Sequence, residues 1–146
     1  MFVKFCARLD SRGSNSLILI CLVWLGAISS GLGQNDYQPG RAYFGRSNYI
    51  EYIAGDMPVI LSAPHGGALK PAEIPDRKDG EFISDAHTEE LARTAQQVFH
   101  NCFGHYPHVI ICRLERHKLD CNRDLEEGAG DDPGARQAWQ IGRAHV

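Results

Sequence analysis

The chain has 146 residues, of which 15 are basic and 18 are acidic, and its formal net charge at neutral pH is −3. This length suits one small domain with a single core. No segment combines clustered Lys and Arg with interleaved aromatic residues, so the composition excludes the usual nucleic-acid-binding surface and we expect no nucleic-acid partner.

The first 33 residues have the pattern of a secretory signal peptide. Basic residues at 4, 8 and 12 precede an apolar stretch from Leu17 to Ile28, and small residues at 31 and 33 match those that precede a cleavage site. The stretch is short for a membrane span, which needs about 20 residues. We therefore expect residues 1–33 to be removed and the rest to be exported, secreted or periplasmic, without membrane attachment; an uncleaved anchor is the alternative.

Two strands are predicted after the signal peptide. Residues 34–48 are rich in Gly, Asn, Gln and Arg and predict a linker. Tyr49–Ile53 is aromatic and β-branched and predicts the first strand. The apolar run Val59–Ser62 predicts a second, buried strand. Pro64 ends it, because proline has no N–H group to donate to a sheet.

His65 is the first candidate for function. It lies at the carboxyl end of a predicted core strand, where open α/β sheets place their ligand crevices. Gly66 and Gly67 follow it and allow a close backbone approach or a positive φ. Taken alone, the position suits an ordinary turn histidine equally well.

A loop, a helix and a third strand come next. Residues 70–80 contain two prolines and many charges and predict a long exposed loop. Ser84 or Asp85 is suited to cap a helix that Gly104 ends, and apolar residues at 91, 95, 98 and 102 predict its buried stripe. His108–Cys112 predicts the third strand. Together these elements form a βαβ unit, whose two strands are expected to be parallel.

Three cysteines follow the predicted signal peptide, at positions 102, 112 and 121. Their spacing fits neither a zinc finger nor a CxxC motif, and one disulfide is possible in an oxidising compartment. Cys112 lies in an apolar run and is predicted to be a small buried hydrophobic residue. We do not expect cysteine chemistry to carry the function.

Charged residues are predicted to gather where the parallel strands end. The segment Arg113–Arg123 follows the third strand directly, and the exits of parallel strands share one edge of a sheet, so this segment should lie near His65. A crossover helix starts near the exit of its first strand, which brings Asp85 to the same edge. A histidine and a carboxylate there could hold zinc, and arginines could grip an anionic substrate.

Three segments together resemble the N-formylglutamate amidohydrolase family: Pro64-His65-Gly66-Gly67, Asp85 before a helix, and Asp120-Cys121-Asn122-Arg123. The Asp-x-Asn-Arg element is also similar to a segment of the zinc carboxypeptidases, whose fold that family is thought to share. The resemblance covers Val59 to Trp139. It implies an α/β fold with a βαβ-based mixed sheet of the zinc carboxypeptidase-like (phosphorylase/hydrolase-like) type, of which residues 49–140 would be the N-terminal half.

The resemblance implies a zinc ion held by His65 and by Asp85, with Glu73 as the substitute carboxylate if the long loop folds back. Asp85 could equally be a helix cap, and the two roles can coexist. The His-x-x-Glu pairing of carboxypeptidases is absent, because two glycines and an alanine follow His65. In the related zinc peptidases a second histidine ligand and a glutamate base come from later in the chain.

The same resemblance implies an anionic substrate. Asn122 and Arg123 would bind its carboxylate, and Arg113 or Arg116 would polarise the scissile carbonyl or add a second clamp. Zinc lowers the pKa of its bound water to about 7 and acts as a Lewis acid. The implied activity is hydrolysis of an amide bond in a small N-acyl amino acid similar to N-formylglutamate, or in a peptide end. The alternative for Arg123 is a surface ion pair with Asp120 or Asp124, and Asn122 could be a turn residue.

Residues 136–140 predict the start of a helix, and the six residues after them, 141–146, resemble one reading frame of a sequencing adapter. We therefore expect a non-native tail after Gln140 and a fragment that binds zinc weakly and has no turnover. Two alternatives stay open: a metal-dependent peptidase or cell-wall amidase on the same scaffold, and a secreted binding domain that is not catalytic.

Overall fold

The computed structural model describes residues 2–5 and 36–143. The strands are β1 (Phe2–Phe5), β2 (Ala42–Phe44), β3 (Ile50–Ile53), β4 (Val59–Ala63) and β5 (His108–Cys112). The helices are α1 (Thr88–Phe103), α2 (Leu125–Ala129) and α3 (Pro133–Gly142), with a 3-10 turn at Arg46–Asn48. No helix within these ranges is long and apolar enough to cross a membrane. Apart from β1, the predicted signal peptide lies outside the described residues, so its cleavage stays a prediction.

Four strands form a small mixed sheet in the order β4-β5-β3-β2, and β1 adds a fifth strand beside β4. β4 and β5 are parallel, with Ile60 opposite His108 and Ala63 opposite Ile111. The other neighbouring pairs are antiparallel. This arrangement confirms an α/β protein with a mixed sheet and the predicted parallel βαβ unit.

Helices cover both faces of the sheet. Apolar side chains of β3, β4 and β5 pack on one face together with Ala92 and Ala95 of α1. On the other face, Ile50 and Cys112 pack with Trp139 of α3. Because strand side chains alternate between two covered faces, β4 and β5 are mostly apolar, with Ser62 and His108 as the polar exceptions. Cys112 is buried, as predicted.

The start of α1 differs from the prediction. The helix begins at Thr88, and His87 before it adopts a left-handed conformation with a φ of 62°. The predicted caps Ser84 and Asp85 therefore lie in the preceding turn, and neither caps the helix. Its end is as predicted, at Gly104 with a φ of 72°.

Only Ala95 of the predicted apolar stripe of α1 packs against the sheet. Leu91 is 50% exposed, Val98 is 53% exposed and Cys102 is exposed, whereas Ala92 and Gln96 are buried, so the rest of the stripe is wrong. The small side chain of Ala92 lets the helix backbone approach the sheet closely, and the Gln96 amide donates to the carbonyl oxygen of Pro107 at 3.1 Å. Close approach therefore determined the buried face more strongly than the hydrophobicity of individual side chains.

Two segments predicted to be irregular are structured. Residues 42–44, assigned above to a linker, form β2, where Tyr43 makes an edge-to-face contact with the ring of Tyr37 at 4.7 Å. In the loop 70–80, predicted to be exposed, Ile74 and Arg77 are buried. The predicted helix start at 136–140 lies inside α3, which Asp132 caps by accepting from the N–H of Ala135. Residues 144–146 of the expected tail lie outside the described residues.

A buried ion pair ties β3 to α1. Both carboxylate oxygens of buried Glu51 accept from the guanidinium of Arg93, at 2.6 and 2.7 Å. We expect Arg93→Met to lower the free energy of unfolding by about 2–3 kcal/mol, because it leaves a buried carboxylate unpaired although the arginine itself is partly exposed. Urea unfolding measures the loss. Lys70→Met, which removes the exposed pair with Glu115, is the control and should cost less than about 1 kcal/mol; equal losses would contradict the expectation.

His108 makes stability depend on pH. Its Nδ1 lies 3.0 Å from the N–H of Gly55, which can only donate, so Nδ1 is the unprotonated nitrogen. Burial lowers the pKa of His108 below its usual value of 6.5, against a smaller opposite effect of Asp56. A histidine whose pKa is lower in the folded state contributes its full stabilisation above its unfolded pKa of 6.5. This stabilisation is lost as the pH falls through the folded pKa, because the unfolded chain then binds more protons than the folded protein does.

We therefore expect the free energy of unfolding of the metal-free protein to fall as the pH is lowered from about 7.5 to about 5.5. His108→Asn, which keeps an acceptor near the position of Nδ1 but cannot titrate, should show a shallower fall. Urea unfolding at several pH values compares the two proteins, and identical slopes would contradict the assignment.

Candidate functional site

The strand exits of β4 and β5 meet at one edge of the sheet. The segment after β4 binds the segment after β5 through the N–H of Leu69 to the carbonyl of Arg113, at 2.9 Å, and the N–H of Glu115 to the carbonyl of Leu69, at 2.9 Å. The N–H of Cys121 donates to the carbonyl of Pro64 at 3.0 Å. These bonds place the His65 segment against the Arg113–Arg123 segment, as the parallel arrangement predicted.

The two glycines after His65 are required by close contacts. Gly66 has a φ of +106°, and a Cβ atom there would lie 1.9 Å from the hydroxyl of Thr88. A Cβ atom at Gly67 would lie 2.0 Å from the carbonyl carbon of Arg113. Neither position can hold a side chain without moving its neighbour, so Gly66 lets the His65 segment approach the start of α1 and Gly67 lets it approach the Arg113–Arg123 segment.

His65 and Asp85 face each other at this edge. The imidazole Nδ1 of buried His65 lies 3.4 Å from Oδ2 of Asp85, whose side chain is 58% exposed. The hydroxyl of Thr88, at the start of α1, is 2.9 Å from the carbonyl oxygen of His65 and 3.2 Å from that of Asp85. The start of the helix therefore holds both residues, and the site opens to solvent on the Asp85 side.

The surroundings of the His65 ring favour its neutral form. Burial lowers its pKa most, Arg116 lowers it further, and the nearby carboxylates of Asp120 and Asp85 act in the opposite direction. Within residues 2–5 and 36–143, its buried Nδ1 has no hydrogen-bond partner. A neutral ring with an unsatisfied nitrogen facing a carboxylate is the state in which histidine binds metals.

Asp120 binds neighbouring groups beneath the His65 and Asp85 side chains. Its carboxylate is fully buried, with Oδ2 accepting from Nε of Arg116 at 2.8 Å and Oδ1 accepting from the N–H of Asn122 at 2.9 Å. Arg116 also donates from Nη1 to the carbonyl of Ile83 at 2.7 Å, and the same nitrogen lies 3.9 Å from Oδ1 of Asp85. Arg116 thus links the buried carboxylate to the open side of the site.

Arg123 and Asn122 lie beside the same carboxylate. Nε of Arg123 is 3.9 Å from Oδ2 of Asp120 and 3.4 Å from Oε1 of Glu127, and the side chain is 39% exposed. Asn122 is exposed and binds Asp120 through its backbone. Arg123 therefore does pair with Asp120, as the alternative predicted, but the pair is not on the surface, because Asp120 is fully buried. Asp124 instead caps α2 by accepting from the N–H of Glu127.

Arg113 lies outside this group, contrary to the expectation that it faces the substrate. Its N–H donates to the carbonyl of Tyr49, which extends the pairing of β5 with β3 by one residue. Its guanidinium donates to the carbonyl of Asn48 at 3.2 Å and lies over the ring of Phe44, with Cζ 5.2 Å from the centroid. The extended ladder turns the side chain toward β2 instead of toward His65.

Glu73, the substitute carboxylate ligand, is also placed elsewhere. Its Oε1 accepts from the hydroxyl of Tyr49 at 2.5 Å, which lowers the pKa of Glu73 and raises that of Tyr49. Both residues line a cavity of about 380 Å³ between the 3-10 turn and α3. The loop 70–80 therefore does not bring Glu73 to His65, and of the two predicted carboxylates only Asp85 contacts the histidine.

The separation of His65 and Asp85 is compatible with two ligands of one zinc ion. Bonds of about 2.0–2.2 Å at a tetrahedral angle place two ligand atoms about 3.3–3.5 Å apart, and the His65 and Asp85 atoms are 3.4 Å apart, a distance that a weak ion pair also has. A protein site for catalytic zinc has three ligands. The described part of the chain contains no group of three or more His, Cys, Asp or Glu residues that could hold a metal ion, so these two side chains alone do not make up such a site.

The sequence interpretation missed the structural roles of Asp120, Arg77 and Thr88. Asp120 was noticed as part of the Asp-x-Asn-Arg element, and its position four residues after Arg116 could have indicated their pairing. The sequence contains no comparable spacing for Arg77 or Thr88, because these side chains bind backbone carbonyls of distant segments.

The family resemblance depends on the three short segments around His65, Asp85 and Asn122. Comparisons of the chain with protein-family models, with curated proteins and with solved structures found no match.

Proposed function

We propose that this chain carries part of the site of a zinc-dependent hydrolase that cleaves the amide bond of a small N-acyl amino acid similar to N-formylglutamate. The proposal includes a sheet of the zinc carboxypeptidase-like type. It also includes export of the protein. The observation that carries it is the buried Nδ1 of His65, which has no hydrogen bond within the described residues and lies 3.4 Å from a carboxylate oxygen of Asp85.

His65 and Asp85 would both bind the zinc ion. His65 offers a neutral ring whose orientation is fixed by burial and by the bond from Thr88 to its carbonyl. Asp85 offers a negative charge at the solvent-exposed side, where a substrate enters. When bound, zinc would supply a Lewis acid and lower the pKa of its water ligand.

Arg123 and Asn122 would recognise the carboxylate of the substrate. The part-exposed guanidinium of Arg123 can form two parallel hydrogen bonds with a carboxylate. Buried Asp120 orients Arg116 and the backbone of Asn122, so that these two residues share one support. Arg116 uses two of its nitrogens for protein partners, and we assign it the polarising role ahead of Arg113 because it lies beside Asp85.

Two other functions make different use of the same residues. A metal-dependent peptidase or cell-wall amidase would share the zinc ligands and differ in the substrate that Arg123 admits. A secreted binding domain would keep the arginines but would not need His65.

Zinc-dependent ligand binding tests the proposal on the chain itself. Titration with N-formylglutamate, followed by NMR shifts of the backbone amides around residues 113–123, should show saturable binding that strengthens when one equivalent of Zn²⁺ is present. Arg123→Gln should abolish this binding, whereas Arg136→Gln, on the outside of α3, should leave it intact. If N-formylglutamate binds equally well with and without Zn²⁺, and still binds after His65→Ala, the result would favour the binding domain. Absence of binding both with and without Zn²⁺ would overturn the proposal.

A further inference from the structure

Arg77 is a buried arginine whose guanidinium bonds all go to backbone carbonyls. Nε donates to Arg116 at 2.9 Å, Nη1 donates to Glu127 at 2.7 Å, and Nη2 donates to Glu81 at 2.6 Å. Its own N–H donates to the carbonyl of His117 at 2.7 Å. Across residues 2–5 and 36–143 it forms no ion pair with a carboxylate. Its guanidinium therefore joins three segments, those that contain Glu81, Arg116 and Glu127, through backbone carbonyls alone.

Residues 79–83, here called the strap, form one of these segments. Arg77 binds the strap at the carbonyls of Asp79 and Glu81, at 3.3 and 2.6 Å, and Arg116 binds its last carbonyl, that of Ile83, at 2.7 Å. The ring of Phe82 lies under the guanidinium of Arg77, with Cζ 5.2 Å from the centroid. The strap is therefore fastened to the segment that carries Arg116, and the chain reaches Asp85 two residues after it ends.

The position of Asp85 depends on this fastening. Its side chain is 58% exposed, and its two ion-pair distances, to His65 and to Arg116, are long at 3.4 and 3.9 Å. Contacts of this length in water contribute little to holding a side chain in place. The backbone on either side must do so, through Thr88 after it and the strap before it.

We propose that Arg77 is a positioning residue of the candidate site: by fastening the strap to the Arg116 segment, it holds the Asp85 carboxylate opposite His65. This inference depends on the proposed zinc site for its functional meaning. A lysine could not replace the arginine, because four carbonyl acceptors around one side chain require the flat fork of a guanidinium, whereas an ammonium group offers its donors from a single point.

Backbone NMR relaxation and zinc titration of the full chain test the inference together. Arg77→Lys keeps the charge, and Arg77→Met removes it in case the lysine is accommodated. The matched control is Arg136→Lys, since Arg136 also donates to a backbone carbonyl, that of Gly130, but does not touch the strap. Urea unfolding of each variant separates local effects from a loss of global stability.

We expect Arg77→Lys to lower the backbone NMR order parameters of the strap toward the values below about 0.6 that are typical of flexible segments, while those of β4 and β5 stay at their wild-type values. It should also weaken Zn²⁺ binding about 10–100-fold, the loss typical of residues that orient metal ligands. Arg136→Lys should change neither. Wild-type order parameters and zinc affinity in both Arg77 variants would overturn the inference, and so would a loss of order that is uniform along the chain. If the wild-type chain binds no zinc, the proposed function fails, and the order parameters of the strap alone decide whether Arg77 fastens it.

Discussion

Replacement of Asp120 by alanine is expected to cause the largest loss of stability that a single change at the site can produce. The change leaves the buried guanidinium of Arg116 without its carboxylate and the N–H of Asn122 without an acceptor. Breaking a buried pair from one side costs about 3–5 kcal/mol, which is a large part of the 5–15 kcal/mol typical of a domain. Urea unfolding followed by circular dichroism measures it.

The double variant Asp120→Ala with Arg116→Met is the informative comparison. Since it removes the stranded charge together with its partner, it should recover part of the stability lost in the single variant. Glu126→Ala changes an exposed carboxylate on α2 and should stay within about 0.5 kcal/mol of the wild type. If Asp120→Ala unfolds no more easily than Glu126→Ala, Asp120 does not organise the site.

The largest functional effect is expected from His65→Ala. The change removes one of the two proposed zinc ligands, so the affinity for Zn²⁺ should fall by at least about 100-fold, beyond the range lost when only an orienting residue is removed. Because the His65 ring is buried, the change also leaves a cavity, so urea unfolding of the variant must show that it is folded under the conditions of the titration. Calorimetric titration with Zn²⁺ measures the affinity.

His87→Ala is the control for zinc bound elsewhere on the surface. His87 is exposed and pairs with Glu90, three residues later on α1. It therefore offers a histidine and a carboxylate without the buried setting of His65. Similar losses of zinc affinity in the two variants would mean that the metal binds adventitiously.

Periodicity and strand topology account for how much of the fold could be predicted. β4 and β5 were found because continuous apolar runs are typical of strands buried on both faces, and their parallel pairing followed from the helix between them. The start of α1 was missed because the left-handed turn at His87 moves the first helical residue past Asp85. Its buried face was missed because close packing through Ala92 outweighed the larger exposed Leu91.

The candidate site was predictable only where it follows from strand exits. His65, Asp85 and Arg116 come together because two parallel strands end on one edge and the crossover starts there. Arg113 was misplaced because one more residue of ladder pairing redirected it, which no local pattern reveals. Arg77 was invisible for the same reason: its partners are carbonyls of segments far apart in the chain.

A double-mutant cycle of zinc affinities for His65→Ala and Asp85→Ala tests most directly whether these two side chains hold one ion. Each single variant should lose at least about 100-fold in affinity, and the double variant should lose clearly less than the product of the two losses, because either change already dismantles the shared site. Wild-type affinity in either single variant, or losses that multiply without coupling, would contradict a common metal site.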